Sequence, residues 1–262
     1  MAEIIPLLFL GAFAGFVAGL LGVGGGLIMV PVLLYLLAPT TDQSVLMHTA
    51  VGTALAAIVF TSISSVYAHH RHGAIIWRYF IKLTPTILLG AYCGAFAAKQ
   101  MSFDFMRIFF ACFEISIALI MWFGVSASGH ADNLARWVWM IVGYIVGLVS
   151  AIVGIGGGTM TTPFLVYNNL AIKNAIATSA AVGMPIAIAG SVGFMIAGID
   201  VEAATGDLGF INLKALFSIV VASVLFAPLG AKVTHRVDSK KLKKGFAVFL
   251  CILGFMVIIF GS

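Results

Sequence analysis

Ten apolar runs, separated by short polar breaks, occupy almost the whole of a 262-residue chain. They fall at about 4–21, 27–38, 45–68, 75–98, 105–125, 137–153, 159–170, 175–199, 211–233 and 245–260. A helix crosses a bilayer with roughly 20 apolar residues, and only helices or closed barrels satisfy every backbone group in lipid. Barrel strands alternate polar and apolar residues; these runs do not. Composition agrees, with 62% hydrophobic and 9% charged residues against about 25% charged in a soluble domain. The expected fold is an all-α polytopic membrane protein of about eight to ten membrane segments. Soluble, disordered and nucleic-acid-binding classes are excluded. Met1-Ala2-Glu3 lacks the basic start of a secretory signal, so the first segment is expected to stay in the mature protein.

Two runs, 27–38 and 159–170, are too short to span alone. Both follow a glycine-rich break that occurs twice. Gly22-Val23-Gly24-Gly25-Gly26 returns as Gly154-Ile155-Gly156-Gly157-Gly158, and Pro31 returns as Pro163. Ala50-Val51-Gly52 matches Ala181-Val182-Gly183, Gly94-Ala95 matches Gly230-Ala231, and the offset stays between 131 and 136. Two repeats are therefore expected, 1–130 and 131–262, each a Gly-broken pair of short helices followed by three full spans.

Charge sets their orientation. Six of the fourteen Lys and Arg residues lie between Lys232 and Lys244, which reads as a cytoplasmic loop. The loop before it carries Asp200, Glu202 and Asp207 against Lys214 and is expected outside. Its first-repeat equivalent, His69 to Lys82, is basic and expected inside. Equivalent loops on opposite sides imply inverted repeats. That arrangement requires each Gly-broken pair to be a hairpin that enters and leaves on one side, with both termini outside.

Paired glycine breaks before short helices point to a transport site. Gly24, Gly25, Gly26, Gly156, Gly157 and Gly158 carry no side chain over their amides, and each following helix aims unpaired N–H groups and a positive dipole end at the break. Two such ends could hold an anion without a lysine in the bilayer. The competing reading is tight helix packing by small residues. Hydroxyls gather in the same frame: Thr159, Thr161 and Thr162, then Thr178, Ser179 and Ser191, with Thr49, Thr53, Thr61 and Ser62 in the first repeat. Thr159, Thr49, Thr178 and Ser179 are candidate anion ligands, although such hydroxyls also bond their own helix. His48 is the one histidine inside a probable span and is a further candidate. Glu114 is the one carboxylate deep in an apolar run, with Leu250 as its counterpart, and is the candidate for proton coupling. His69, His70 and His72 beside Arg71 read as a solvated basic loop rather than a metal site. Cys93, Cys112 and Cys251 lie unpaired in apolar runs. No nucleophile–base pair, P-loop or zinc spacing appears, which argues against an intramembrane enzyme or an ATP-driven pump.

The doubled Gly-x-Gly-Gly-Gly with its downstream proline resembles the TauE/SafE sulfite exporter family, also called the 4-toluene sulfonate uptake permease family. The stretches Ala177 to Pro185, Gly209 to Leu213 and Ala227 to Lys232 carry the same likeness. The resemblance implies a multi-pass permease of the bacterial or archaeal inner membrane, without bound cofactor. Its substrate would be sulfite, a sulfonate or a related sulfur oxyanion. A secondary exporter working by alternating access is the expected function, with a passive anion channel and a non-transporting membrane scaffold as the alternatives. The expected partners are that small sulfur-containing anion and the lipid bilayer, with no nucleic acid. Coupling to protons or sodium, and a homodimer, stay open.

Overall fold

The computed structural model describes residues 4–124, 134–200, 207–234 and 239–260. The expected boundary near residue 130, together with Glu202 and Arg236, lies outside these residues. Ten helices are present among them: α1 Ile4–Leu21, α2 Gly26–Leu37, α3 Gln43–Arg71, α4 Trp77–Lys99, α5 Phe103–Phe123, α6 Arg136–Val153, α7 Gly158–Tyr167, α8 Ile172–Ala197, α9 Leu213–Thr234 and α10 Ser239–Phe260. Seven are long and apolar enough to cross a bilayer, namely α1, α3, α4, α5, α6, α8 and α9. At roughly 1.5 Å per residue, the 12-residue α2 and 10-residue α7 reach only part of the way.

Two boundaries differ from the sequence reading. The basic segment 232–244 is not one loop, because Lys232 ends α9 and residues 239–244 already belong to α10. Lysine is a good helix former, so the charged stretch 239–244 opens a helix instead of forming a loop. The histidines at the end of the third span are likewise not loop residues. His69, His70 and Arg71 form the last turn of α3, where cations complement the helix dipole. His69 is fully buried, with Nε2 3.2 Å from the Gly19 carbonyl oxygen of α1.

Glycine decides which helices touch. Gly11, Gly15 and Gly19 of α1 lie against the main chain of Ile219, Ser223 and Ala227 of α9, so the two helices run in the same sense. Gly143 and Gly147 of α6 meet Leu83 and Ile87 of α4, again in parallel. Small residues permit this backbone approach where lipid supplies no hydrophobic drive between helices. A methyl at Gly11 would fall on the Ile219 carbonyl. Gly11→Ala is therefore expected to destabilise the protein by about 1–3 kcal/mol, read as a lower unfolding midpoint in detergent.

The long helices α3 and α8 cross at the centre. Gly52 packs on Phe194 and Gly190 on Leu55, which sets them antiparallel. Thr61 donates to Ser223 at 2.8 Å and Ser64 to the Val224 carbonyl at 2.8 Å, so α3 runs parallel to α9. Since α1 and α3 both run with α9, α2 must carry the chain back between them. Both ends of the described chain, with Asp200 and Asp207, then lie at one end of the bundle. The α3–α4 connection and Lys232 lie at the other. One element was not anticipated: a small antiparallel hairpin, β1 Asp207–Leu208 and β2 Ile211–Asn212. Gly209, at φ +58°, allows its two-residue turn. Asn212 caps α9 by accepting the Ala215 N–H at 2.8 Å.

Candidate functional site

The two glycine breaks meet in the middle of the protein, backbone against backbone. A Cβ placed at Gly24 would stand 2.7 Å from the Gly156 Cα. Gly26 lies on the Gly154 carbonyl, and Gly158 lies on the Gly22 carbonyl. The segments thus cross in opposite directions, with Gly24 and Gly156 at the crossing. The breaks are not identical in conformation. Gly22, Gly24 and Gly25 have φ of +69°, +82° and +84°, which favours glycine over any other residue. In the second break only Gly154 does so, at +79°, and Gly157 is right-handed at φ −59°.

Helices α2 and α7 start directly from these breaks. The Ile28 and Met29 amides donate to the Gly25 carbonyl at 3.1 and 3.0 Å, and the Thr161 amide donates to Gly157 at 2.9 Å. The amides ahead of them, Gly26 and Leu27 in α2 and Gly158 to Met160 in α7, donate to no main-chain carbonyl among the described residues. They are the free donors of a helix N-terminus.

In this conformation no room is left directly between Gly24 and Gly156. A cavity of about 10 Å³ lies beside the crossing, lined by Gly22, Gly24, Thr61, Ser62, Ser65 and Gly183 among others. A cavity of this size holds one water at most. Ser65 Oγ is buried there without a hydrogen-bond partner among the described residues. Gly183 links the cavity to α7, since a Cβ on Gly183 would stand 3.6 Å from the Gly157 amide nitrogen. The Thr159 and Thr161 hydroxyls, at the start of α7, are also buried without partners.

The structure gathers some of the expected ligands here and not others. All six glycines and Thr159 are at the crossing or in the first turn after it. Ser179 stands one turn into the neighbouring contact, where its hydroxyl meets Thr162 Oγ1 at 2.6 Å and bonds the Ile176 carbonyl. The Thr178 hydroxyl accepts the Ile76 amide at 2.9 Å and so faces the α3–α4 connection. Thr49 and His48 precede Ile58, the α3 residue beside Gly24, by roughly 15 Å along the helix. His48 Nε2 lies 3.0 Å from the Ala98 carbonyl oxygen, and its ring stacks on Phe210 at 5.0 Å. Ser65 was not among the expected ligands, because it has no place in the alignment of the hydroxyls with the breaks. Gly183 was visible as a repeat match and within the Ala177–Pro185 stretch, but not as a cavity residue.

Two further features stand apart from this cavity. Glu114 is fully buried in α5, and neither carboxyl oxygen has a partner among the described residues. A groove of about 750 Å³ between α2, α3, α5 and α10 is walled by Pro31, Leu46, Phe103 and Leu253. Its mostly apolar lining offers an anion few donors.

Residues 7–257 match the family described as Sulfite exporter TauE/SafE. A "Probable membrane transporter protein" of Haemophilus influenzae is 38% identical over 255 residues, covering 95% of this chain and 96% of that one. A protein of the same description from Bacillus subtilis is 26% identical, with 97% of each chain covered. One from the archaeon Methanocaldococcus jannaschii is 24% identical, covering 98% of this chain and 96% of its own. No solved structure matches the chain.

Proposed function

Because this chain belongs to the TauE/SafE sulfite exporter family, we propose that it is a secondary transporter that carries sulfite or a related sulfur oxyanion across the cell membrane. The hydroxyl-lined cavity beside the crossed glycine breaks carries this reading. Among the described residues its unengaged hydroxyl is Ser65, flanked by main-chain amides at the start of α7, while Thr61 and Ser62 already donate to Ser223 and to the Val59 carbonyl. Such donors suit an oxyanion that must be bound and then released, because they supply hydrogen bonds without the cost of an ionised side chain in lipid. Sulfite or a sulfonate is far larger than one water, so binding requires the helices around the crossing to separate. Alternating access supplies that motion. An inverted repeat is supported by α3 and α8 lying antiparallel and by the reciprocal pairing of α1 with α9 and α6 with α4. On the positive-inside rule the end with Arg71, Arg78 and Lys232 faces the cytoplasm.

The test is uptake of labelled sulfite by proteoliposomes. A carrier gives saturable flux and counterflow; a passive channel gives flux without counterflow; a scaffold gives no flux. Ser65→Ala is expected to weaken sulfite binding about tenfold, since a hydrogen bond to a charged group contributes about 1.5–3 kcal/mol. Unchanged binding in that variant would move the site away from the cavity.

A further inference from the structure

Two connecting segments, the 207–212 hairpin that leads into α9 and the 72–76 segment between α3 and α4, lie at opposite ends of the bundle and are held in the same way. At the end shared by the termini, the 207–212 hairpin turns inward. Phe210 is buried between His48, at 5.0 Å, and Phe194, at 6.3 Å between ring centres. The Asn212 main-chain N–H donates to Thr53 Oγ1 of α3 at 2.9 Å. At the other end, Ala74 and Ile75 are buried against Ala177 and Ala181 of α8. There the Ile76 main-chain N–H donates to Thr178 Oγ1 at 2.9 Å, and the Asn174 side chain donates to the Ala74 carbonyl at 3.0 Å. Both threonines are fully buried.

The arrangement is reciprocal. The 207–212 hairpin docks on α3, and the connection between α3 and α4 docks on α8. Along those two helices the cavity lies between the threonines, with Ile58, Thr61 and Ser65 beyond Thr53 and with Ala180 and Gly183 beyond Thr178. A buried main-chain amide needs a partner, and at each dock a threonine hydroxyl is that partner. Removing the hydroxyl leaves the amide unpaired while the connection is closed and lets water satisfy it once the connection lifts.

We propose that these connections are the two gates of the transport path, and that Thr53 and Thr178 are the positioning residues that latch them. The proposal rests on the transport reading above. Each latch favours closure at its own end, so losing one biases the protein toward opening on that side alone.

The experiment reads access to the cavity and needs no substrate. With Cys93, Cys112 and Cys251 replaced by serine, Ala180→Cys in the cavity wall is labelled by a membrane-impermeant thiol reagent from either side. Thr53→Val should raise the labelling rate from the termini side about tenfold and lower it from the other. Thr178→Val should do the reverse. Thr53→Ser and Thr178→Ser keep the hydroxyl and should restore the wild-type rates. Phe210→Ala removes the plug without touching a latch and should act in the same direction as Thr53→Val, so the idea stays testable if one valine variant does not fold. Shifts in the same direction for both valine variants, or no shift in either, would overturn the latches. Absence of sulfite flux in the wild type would instead refute the transport reading and leave the opposite shifts standing.

Discussion

Gly24→Ala and Gly158→Ala are each expected to abolish transport by preventing the two breaks from crossing. At Gly24 the new methyl would stand 2.7 Å from the Gly156 Cα, on a residue whose φ is +82°. At Gly158 it would fall on the Gly22 carbonyl. Main chain on both sides leaves nothing that can swing aside, so the cost is about 3 kcal/mol or more. Loss of the monodisperse peak on size exclusion, or a strongly lowered unfolding midpoint, is the expected result. Gly157→Ala separates packing from binding. Its methyl would meet the far end of the Ile186 side chain at 2.5 Å, and Gly157 already has helical φ. The protein should fold once the Ile186 and Val182 side chains give way, while the methyl stands against Thr161 Oγ1 at 3.4 Å, over the start of α7. Sulfite binding should then weaken at least tenfold, about 1.4 kcal/mol. Normal transport by Gly24→Ala and Gly158→Ala would mean that the crossing is not needed for function.

Glu114→Gln is expected to leave sulfite binding intact and to abolish the response of transport to a pH gradient. Both carboxyl oxygens are buried without a partner among the described residues. An unpaired charge in such a place is costly, so a change of protonation there must accompany a change of surroundings. Transport cycles that alternate between conformations provide one. Flux into proteoliposomes with and without an imposed pH gradient measures the effect. Retained pH response together with a lower unfolding midpoint would assign Glu114 to structure.

Much of the architecture was legible because lipid removes alternatives. Once the backbone must satisfy itself, a run of apolar residues is a helix, and its length says whether it spans. That is why α2 and α7 were recognisable as short helices from 27–38 and 159–170 alone. The duplicated glycines, the free amides behind them and the deep Glu114 could also be read directly. Helix ends were less legible. Charge was taken for loop at His69–Arg71 and at 239–244, whereas charged residues near an interface can extend a helix as readily as end it.

The site was only partly legible, for a different reason. Thr49, Thr178 and Ser179 were grouped by their alignment with the breaks and His48 was singled out as the one histidine in a span, but position along the chain does not tell which way a side chain faces. Thr178 turned out to face a connecting segment, and His48 an aromatic contact with Phe210. Ser65 reached the cavity although it lies 13 residues beyond Gly52 on the same helix. The chain alone therefore determined the membrane environment, the helices and the doubled break, because each follows from local composition and from what lipid forbids. Which glycines meet, where the cavity lies and which hydroxyls are already engaged were decided only by the packing of α3 against α8 and of one break on the other. Those contacts join residues more than a hundred positions apart, and their geometry depends on the whole bundle rather than on any one segment.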